Sequence, residues 1–211
     1  MVPFTLLARS ACTSHASLAL ALTAEFAAVD NRAADLVLDD LALGLRPTRG
    51  EAPLDELRAV AEVAGAELET VVLHSAIDDL LFDRVLVGRA GHPLLLAIAC
   101  SEAGRRAGLP LGIVAGSGGA FVAHTQLPDP LLVDPSTARI VDARTLTFEV
   151  AWQCSHQIAA RVLNRLGERA DRIGNVTWSL RAAELRLALP FADSARERLE
   201  ADLRRVRARL N

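Results

Sequence analysis

The sequence predicts an α+β fold, in which a buried helix packs on a small antiparallel sheet and further helices precede and follow this core. A strongly apolar helical stretch begins at Pro93 and ends at Gly108. Four short apolar or alternating segments follow, separated by Gly, Pro, Asp and Ser, as is typical of strands joined by tight turns. Outside this region the apolar spacing is helical.

Residues 1–74 are predicted to be an N-terminal helical segment. Apolar residues recur at helical spacing over residues 14–45, interrupted by the capping residues Asp30 and Asn31, and again over residues 54–68. The first 24 residues carry one early positive charge and a histidine within the apolar stretch. We therefore expect a helix of the folded protein there rather than a signal peptide.

Residues 75–145 are the predicted core. Residues 75–90 form a helical pattern in which Ser75 and Asp78 resemble a capping box. Pro93 suits the first position of the next helix, where a missing N–H costs nothing, and Gly108 suits its C-cap. The predicted strands, in chain order, are "LPLGIVAG", "GAFVAHT", "PLLVDP" and "ARIVDA".

Residues 146–211 are predicted to be a helical tail that forms one compact unit with the rest. Trp152 and Trp178 fall on helical patterns, and we expect them to pack the tail against the core. The last helix carries an apolar stripe that a folded chain should bury, either on its own core or in a homodimer. The stripe consists of Leu199, Leu203, Val206 and Leu210.

Composition excludes several classes of function. The net charge of −3 gives neither a nucleic-acid footprint nor a membrane-surface footprint. No apolar run reaches the ~18 residues of a membrane span. Three widely spaced cysteines argue against a disulfide framework. We therefore expect a cytoplasmic protein that needs no cofactor.

The stretch "GIVAGSGGAFVAHT" (residues 112–125) is the most distinctive local feature. A phosphate-binding loop would lead into a helix N-terminus, but this one leads into a strand pattern and matches no nucleotide-binding motif. The simplest interpretation is a hairpin connection in which glycine permits a positive φ.

Specific motifs of the core resemble the SirB-type branch of the bacterial transglutaminase-like superfamily, over about residues 20–190. That family carries a D-R-V-L segment, a Gly-x-Pro, an apolar helix ending A-R-R-x-G-L-P, a G-H-F motif and a V/I-D-P. It usually continues into a tetratricopeptide-like tail, here residues 174–190. The matching positions are Asp83 to Leu86, Gly91, Pro93, Arg105 to Pro110, Phe121, Val122 and Val133 to Pro135.

The resemblance implies that the superfamily's catalytic residues are missing. The position of the nucleophilic cysteine is Pro93 and that of the base histidine is Ala120, while the aspartate survives as Asp134. An aspartate alone cannot perform acyl transfer. The implied function is a non-catalytic module that binds a protein or peptide. Its predicted cleft is lined by Gly91, His92, Pro93, Gly118, Gly119, Ala120 and Asp134.

An alternative function is a cysteine hydrolase or acyltransferase that uses displaced groups. Cys100 lies two helical turns beyond Pro93, and His124 lies on the same strand face as Ala120. With Asp134 they would form a shifted triad. A mid-helix cysteine in an apolar stretch is ordinarily inert.

Two further patterns have simpler explanations. "CTSH" (residues 12–15) and "CSH" (residues 154–156) contain four potential zinc ligands, but their spacing is not a standard zinc pattern, and we predict no metal. His92, at the predicted helix start, is either a ligand contact or a turn residue.

Overall fold

A computed structural model describes residues 2–11, 13–71 and 77–208 of the chain. The contacts divide the chain into two compact units, one formed by Met1–Val29 with Ser155–Asn211 and the other by Asp30–Cys154. These boundaries differ from the predicted segments, because the first helices group with the C-terminal helices rather than with residues 30–74.

Within the described residues the chain forms helices, strands and short 3-10 turns, and the predicted α+β fold is confirmed. The helices are α1 (Phe4–Leu7), α2 (His15–Thr23), α3 (Asn31–Leu45), α4 (Pro53–Glu67), α5 (Phe82–Gly88), α6 (Pro93–Ala107), α7 (Ser155–Arg172), α8 (Val176–Leu187) and α9 (Asp193–Arg207). The strands are β1 (Glu69–Thr70), β2 (Ala90–Gly91), β3 (Leu111–Gly116), β4 (Ala120–His124), β5 (Leu131–Asp134), β6 (Arg139–Asp142) and β7 (Val150–Trp152).

The helix boundaries follow from local capping. The Asp30 carboxylate accepts a hydrogen bond from the Ala33 N–H and starts α3. Pro93 is the first residue of α6, and Gly108 ends it with a φ of 87°, as predicted. The predicted helix over residues 75–90 is shorter, because α5 begins at Phe82 and a 3-10 turn (Ile77–Leu80) precedes it. The Ser75 capping box lies outside the described residues.

A five-stranded antiparallel sheet forms the β layer of the unit Asp30–Cys154, in the order β6-β5-β4-β3-β7. The predicted four-strand meander is confirmed. The prediction that everything after residue 145 is helical is wrong, because Val150–Trp152 forms β7 on the free edge of β3. Three residues give too short a pattern to distinguish a strand from a helix by periodicity.

The sheet has two different faces, since successive side chains of a strand point to opposite sides. Ile113, Val122 and Val133 are buried on the face that α6 and α4 cover. The opposite face carries a small apolar cluster of Val114, Phe121, Ala123 and Leu132.

The segment between β6 and β7 crosses that second face, and we name residues 143–149 the crossover strap. β6 and β7 are four strand spacings apart, about 19 Å. Seven extended residues span at most about 25 Å, so the strap crosses with little slack. Its residues Ala143, Leu146 and Phe148 pack on the apolar cluster.

The described residues of the unit Met1–Val29 with Ser155–Asn211 form helices α1, α2, α7, α8 and α9 and the turns between them, with no strand. The Trp178 ring of α8 packs on Phe26, with ring centroids 5.0 Å apart. In α9, Leu203 is buried and Leu199 and Val206 are half-buried, while Leu210 lies outside the described residues. No described helix has the length and apolar composition needed to cross a bilayer.

Candidate functional site

The amino end of α6 is closed by a histidine cap. His92 is the N-cap residue, and its Nδ1 accepts a hydrogen bond from the Leu94 N–H at 3.1 Å. The His92 N–H donates to the Asp79 carbonyl at 3.1 Å. Pro93 follows with a ring that offers no nucleophile. His92, for which the sequence left a ligand contact and a turn residue open, is thus the N-cap residue of α6, directly before Pro93.

The β3–β4 loop is a hairpin, but its glycines do not serve the predicted backbone role. Among the described glycines, positive φ occurs at Gly50, Gly108 and Gly174, not at the glycines of this loop. A Cβ on Gly118 would lie 2.2 Å from the Phe148 ring, and one on Gly116 would lie 2.1 Å from the Glu149 carbonyl oxygen. These glycines are needed because the crossover strap passes directly over them.

Phe148 fills the space beside the loop. Its ring stacks on Phe121 with centroids 6.3 Å apart and planes inclined by 26°. Of the predicted cleft residues, Gly118 thus faces the strap, while Ala120 is buried on the opposite, helix-covered face. In this loop Ser117 and Gly118 are exposed to solvent, and Gly119 is half-buried.

His124 forms a hydrogen bond with a buried carboxylate that could not be identified from the sequence. Its Nε2 lies 2.8 Å from Oε2 of Glu56 on α4, and its Nδ1 accepts the Gln126 N–H at 3.2 Å. A ring nitrogen that accepts an N–H carries no proton, so Nε2 bears it and donates to the carboxylate. The other oxygen of Glu56 accepts the Gly50 N–H at 2.7 Å. Both side chains are almost fully buried.

The position of Glu56 gave a weak indication in the sequence that this carboxylate is buried. It lies four and eight residues before Val60 and Ala64, which are buried on the core side of α4. A carboxylate on such an apolar stripe needs a buried hydrogen-bond partner. The sequence did not show which donor this would be, because His124 is 68 residues away.

Cys100 lies in the middle of α6 and is 4% exposed. Burial raises the pKa of its thiol to about 12, so the group stays protonated at neutral pH. Within the described residues no hydrogen bond joins Cys100 to His124. A protonated, buried thiol is a poor nucleophile.

Asp134 serves the turn that follows β5. Its carboxylate accepts hydrogen bonds from the Ser136 N–H at 2.8 Å, the Ser136 hydroxyl at 2.6 Å and the Thr137 hydroxyl at 3.1 Å. The bond from the Ser136 N–H is the local bond that an aspartate commonly makes to the backbone of a turn. No described hydrogen bond connects Asp134 to His124.

The remaining polar candidates do not assemble. Cys154 is exposed, and Cys12 lies outside the described residues. Over residues 2–11, 13–71 and 77–208 no group of three or more His, Cys, Asp or Glu side chains is arranged to hold a metal. The predicted helical position of Trp152 is wrong: it lies on β7 with its ring against Gly112, 54% exposed.

The fold is an α+β domain in which α6 packs on a five-stranded antiparallel sheet. Residues 34–170, more than half of the chain, match the family model of the transglutaminase-like superfamily, and the chain belongs to that superfamily. No curated protein and no solved structure matches the chain.

Proposed function

We propose that this chain is a non-catalytic member of the transglutaminase-like superfamily, of the SirB-type branch, that binds a protein or peptide. The branch assignment rests on the motifs at Asp83–Leu86 and Arg105–Pro110. The proposed binding surfaces are the rim of the cleft, at His92 and the exposed β3–β4 loop, and the helical tail. The proposed location is the cytoplasm.

One observation supports this function best: both ring nitrogens of His124 already have hydrogen-bond partners. A general base must offer a nitrogen lone pair to the nucleophile's proton. The Nδ1 lone pair of His124 is occupied by a backbone N–H, and its Nε2–H faces Glu56. The alternative function, a Cys100/His124/Asp134 hydrolase, would require all three side chains to leave their present partners or burial.

A binding screen with a cleft-blocking variant tests the proposal. An array of 15-residue peptides is screened by fluorescence polarisation, and binders are retested against Ser117→Trp and Arg58→Trp. Ser117 is exposed in the β3–β4 loop, and Arg58 is exposed on α4, away from the loop in sequence. We expect Ser117→Trp to abolish binding of cleft ligands without changing the melting temperature, and Arg58→Trp to bind normally.

The screen also has a contradicting outcome. If no peptide binds to the wild type up to millimolar concentration, or if every binder is unaffected by Ser117→Trp and by substitutions in the helical tail, the proposal is wrong. Turnover of thioester or ester substrates that disappears in Cys100→Ser would favour the hydrolase instead.

A further inference from the structure

A surface groove of about 370 Å³ lies between α3 and α4. At one point along it, Gly44 of α3 faces Val63 of α4, and a Cβ on Gly44 would lie 3.2 Å from that side chain. About one turn away, Asp40 of α3 and Glu67 of α4 both pair with Arg89. The two helices therefore run antiparallel along the groove. Its lining shares no residue with the cleft rim or the helical tail.

Apolar side chains form the floor of the groove and are left in contact with water. Leu43 is 54% exposed, Val63 is half-buried and Ala66 is exposed. Leu36 lies seven residues before Leu43, on the same side of α3, and is 62% exposed, so it extends the apolar stripe. Exposed apolar patches that are bordered by polar groups are typical of protein interaction surfaces.

Carboxylates border this apolar floor on both helices. Asp40 and Glu67 are exposed, and both pair with Arg89. Glu62 is exposed on α4, and its carboxylate has no ion pair or hydrogen bond with another described residue. Three carboxylates against the one guanidinium of Arg89 leave two negative charges at the groove.

The surroundings of the groove carry charge of the same sign. Residues 30–71, which include both helices, contain ten Asp and Glu and four Arg. Arg89 and Arg106 also pair with these helices, and counting both still leaves four negative charges. The whole unit Asp30–Cys154 has a net charge of −8, from 18 acidic residues and 10 arginines. The negative charge of the groove is therefore not neutralised within this unit.

Shape and charge together select the occupant. The surface between two packed helices accepts a third helix, whose apolar residues at a spacing of three or four would contact Leu43 and Val63. Lysine or arginine side chains beside that apolar face would reach Glu62, which has no cationic partner among the described residues. The negative charge disfavours an acidic peptide, a nucleic acid or an anionic membrane surface in the same place.

We propose that the groove between α3 and α4 binds an amphipathic helix of a partner protein. The apolar face of that helix lies on Leu43 and Val63, and its basic side chains meet the carboxylates of the groove. This binding surface is additional to those of the proposed function and does not depend on them.

The test uses three 14-residue peptides with an N-terminal fluorescein, whose binding to the intact protein is measured by fluorescence anisotropy. The basic peptide, ALKAKLAALKAKLA, carries a leucine stripe flanked by lysines. The second peptide has glutamate in place of each lysine, and the third has alanine in place of each leucine. We expect the basic peptide to bind at least about tenfold more tightly than the other two, since the groove repels the second and the third lacks an apolar face. Added salt should weaken its binding.

Substitutions in the apolar floor locate the bound peptide. Leu43→Ala should weaken binding of the basic peptide about tenfold, because an apolar contact with the helix is lost. Ile173→Ala is the matched control, since Ile173 is an aliphatic residue of similar exposure, 58%, that does not line the groove. It should leave the affinity unchanged.

A second pair of substitutions tests the carboxylates. Glu62→Lys should weaken binding of the basic peptide by about fivefold or more, because it replaces an attraction with a repulsion. Glu149→Lys makes the same change in net charge at an exposed residue of the crossover strap, which lies on the other face of the sheet from α4. It should bind within about twofold of the wild type, since distant charges are screened. The melting temperature of each variant reports its folding.

Several outcomes would overturn the inference. They are equal or tighter binding of the glutamate peptide, no binding of the basic peptide up to millimolar concentration, and wild-type affinity in folded Leu43→Ala or Glu62→Lys. Binding that is lost in Ser117→Trp but kept in both groove variants would overturn it while supporting the proposed function. If sedimentation equilibrium shows a dimeric wild type and a monomeric Leu43→Ala, a second copy of this chain covers the groove, and the partner helix is excluded.

Discussion

The two ends of α6 differ in the polar groups that they carry. At the amino end, His92 caps the helix and the next residue is a proline. At the carboxyl end, the buried Glu102 accepts hydrogen bonds from Arg105 and Arg106, and Arg106 also pairs with Asp35 and Asp39 of α3.

His124 belongs to the carboxyl end as well. It pairs in register with Leu111, whose side chain lies against Gly104 of α6. A helix dipole stabilises a thiolate at the amino end of a helix, and α6 carries Pro93 at that end. At the carboxyl end, the hydrogen bonds of Arg106 connect α6 to α3, and the His124–Glu56 bond connects β4 to α4.

The largest loss of stability is expected from a substitution at the carboxyl end of α6. Glu102→Ala removes a buried carboxylate and leaves Arg106, whose side chain is 20% exposed, with fewer partners. We expect the free energy of unfolding to fall by about 3 kcal/mol, as for other broken buried ion pairs. Urea denaturation followed by circular dichroism measures it. If Glu102→Ala lowers the free energy of unfolding by less than His92→Ala does, the carboxyl end of α6 contributes no more to stability than the amino end.

A second variant tests the buried pair of β4 and α4. Glu56→Gln retains an oxygen for the Gly50 N–H but turns an NH₂ group toward the His124 Nε2–H. Two donors then face each other in a buried site, and we expect a loss of about 2–3 kcal/mol in the same assay. Exposed Glu62→Gln on the same helix is the control and should change stability by less than about 0.5 kcal/mol. Equal stability of the two variants would contradict the observed pairing.

Gly118→Ala tests the crossover strap. The added methyl would lie 2.2 Å from the Phe148 ring, so the ring must move off Phe121. We expect a loss of about 2 kcal/mol, typical of overpacking. Gly119→Ala is a matched control in the same loop, because its nearest contact would be 3.4 Å. The melting temperature should fall in the first variant alone, and identical melting of both would show that the strap does not pack there.

The pH dependence of stability gives a further test of Glu102 at the carboxyl end of α6. Burial by itself would raise the pKa of Glu102, but the hydrogen bonds and charges of Arg105 and Arg106 outweigh it and lower the pKa below the usual value of 4.5. The resulting stabilisation is complete above about pH 4.5 and is lost as the pH falls through the lower, folded-state pKa. One such proton contributes at most ~1.4 kcal/mol per pH unit. Below about pH 4.5, the free energy of unfolding should therefore fall less steeply with decreasing pH in Glu102→Gln than in the wild type. Equal slopes in the two proteins would argue against the ion pairs.

The smallest loss of stability is expected from a substitution at the amino end of α6. His92→Ala removes the helix cap, which costs about 1 kcal/mol. His92→Asn keeps a capping oxygen and should restore most of that loss in a thermal melt. If alanine and asparagine behave alike, the Leu94 N–H bond contributes nothing to stability.

The sequence predicted those parts of the fold that depend on local signals. The start of α6 at Pro93, its end at Gly108 and the four-strand meander each have a residue-level cause, and the superfamily motifs cover the same region. β7 was missed because three residues carry too little pattern. The glycines of the loop were explained by backbone conformation, whereas the structure shows a steric cause that depends on Phe148, about 30 residues later in the chain. The partner of His124 could not be predicted from the sequence for the same reason, because Glu56 lies on a different element.

The most direct test of the account is thiol labelling of the folded protein. Wild type and Cys100→Ser are incubated with an iodoacetamide probe at neutral pH, and the labelled cysteines are identified by peptide mass spectrometry. With a buried thiol whose pKa is raised to about 12, we predict labelling of the exposed Cys154 and no label on Cys100 until the chain is unfolded. Rapid, stoichiometric labelling of Cys100 in the folded protein, lost in Cys100→Ser, would contradict the account and support a catalytic thiol.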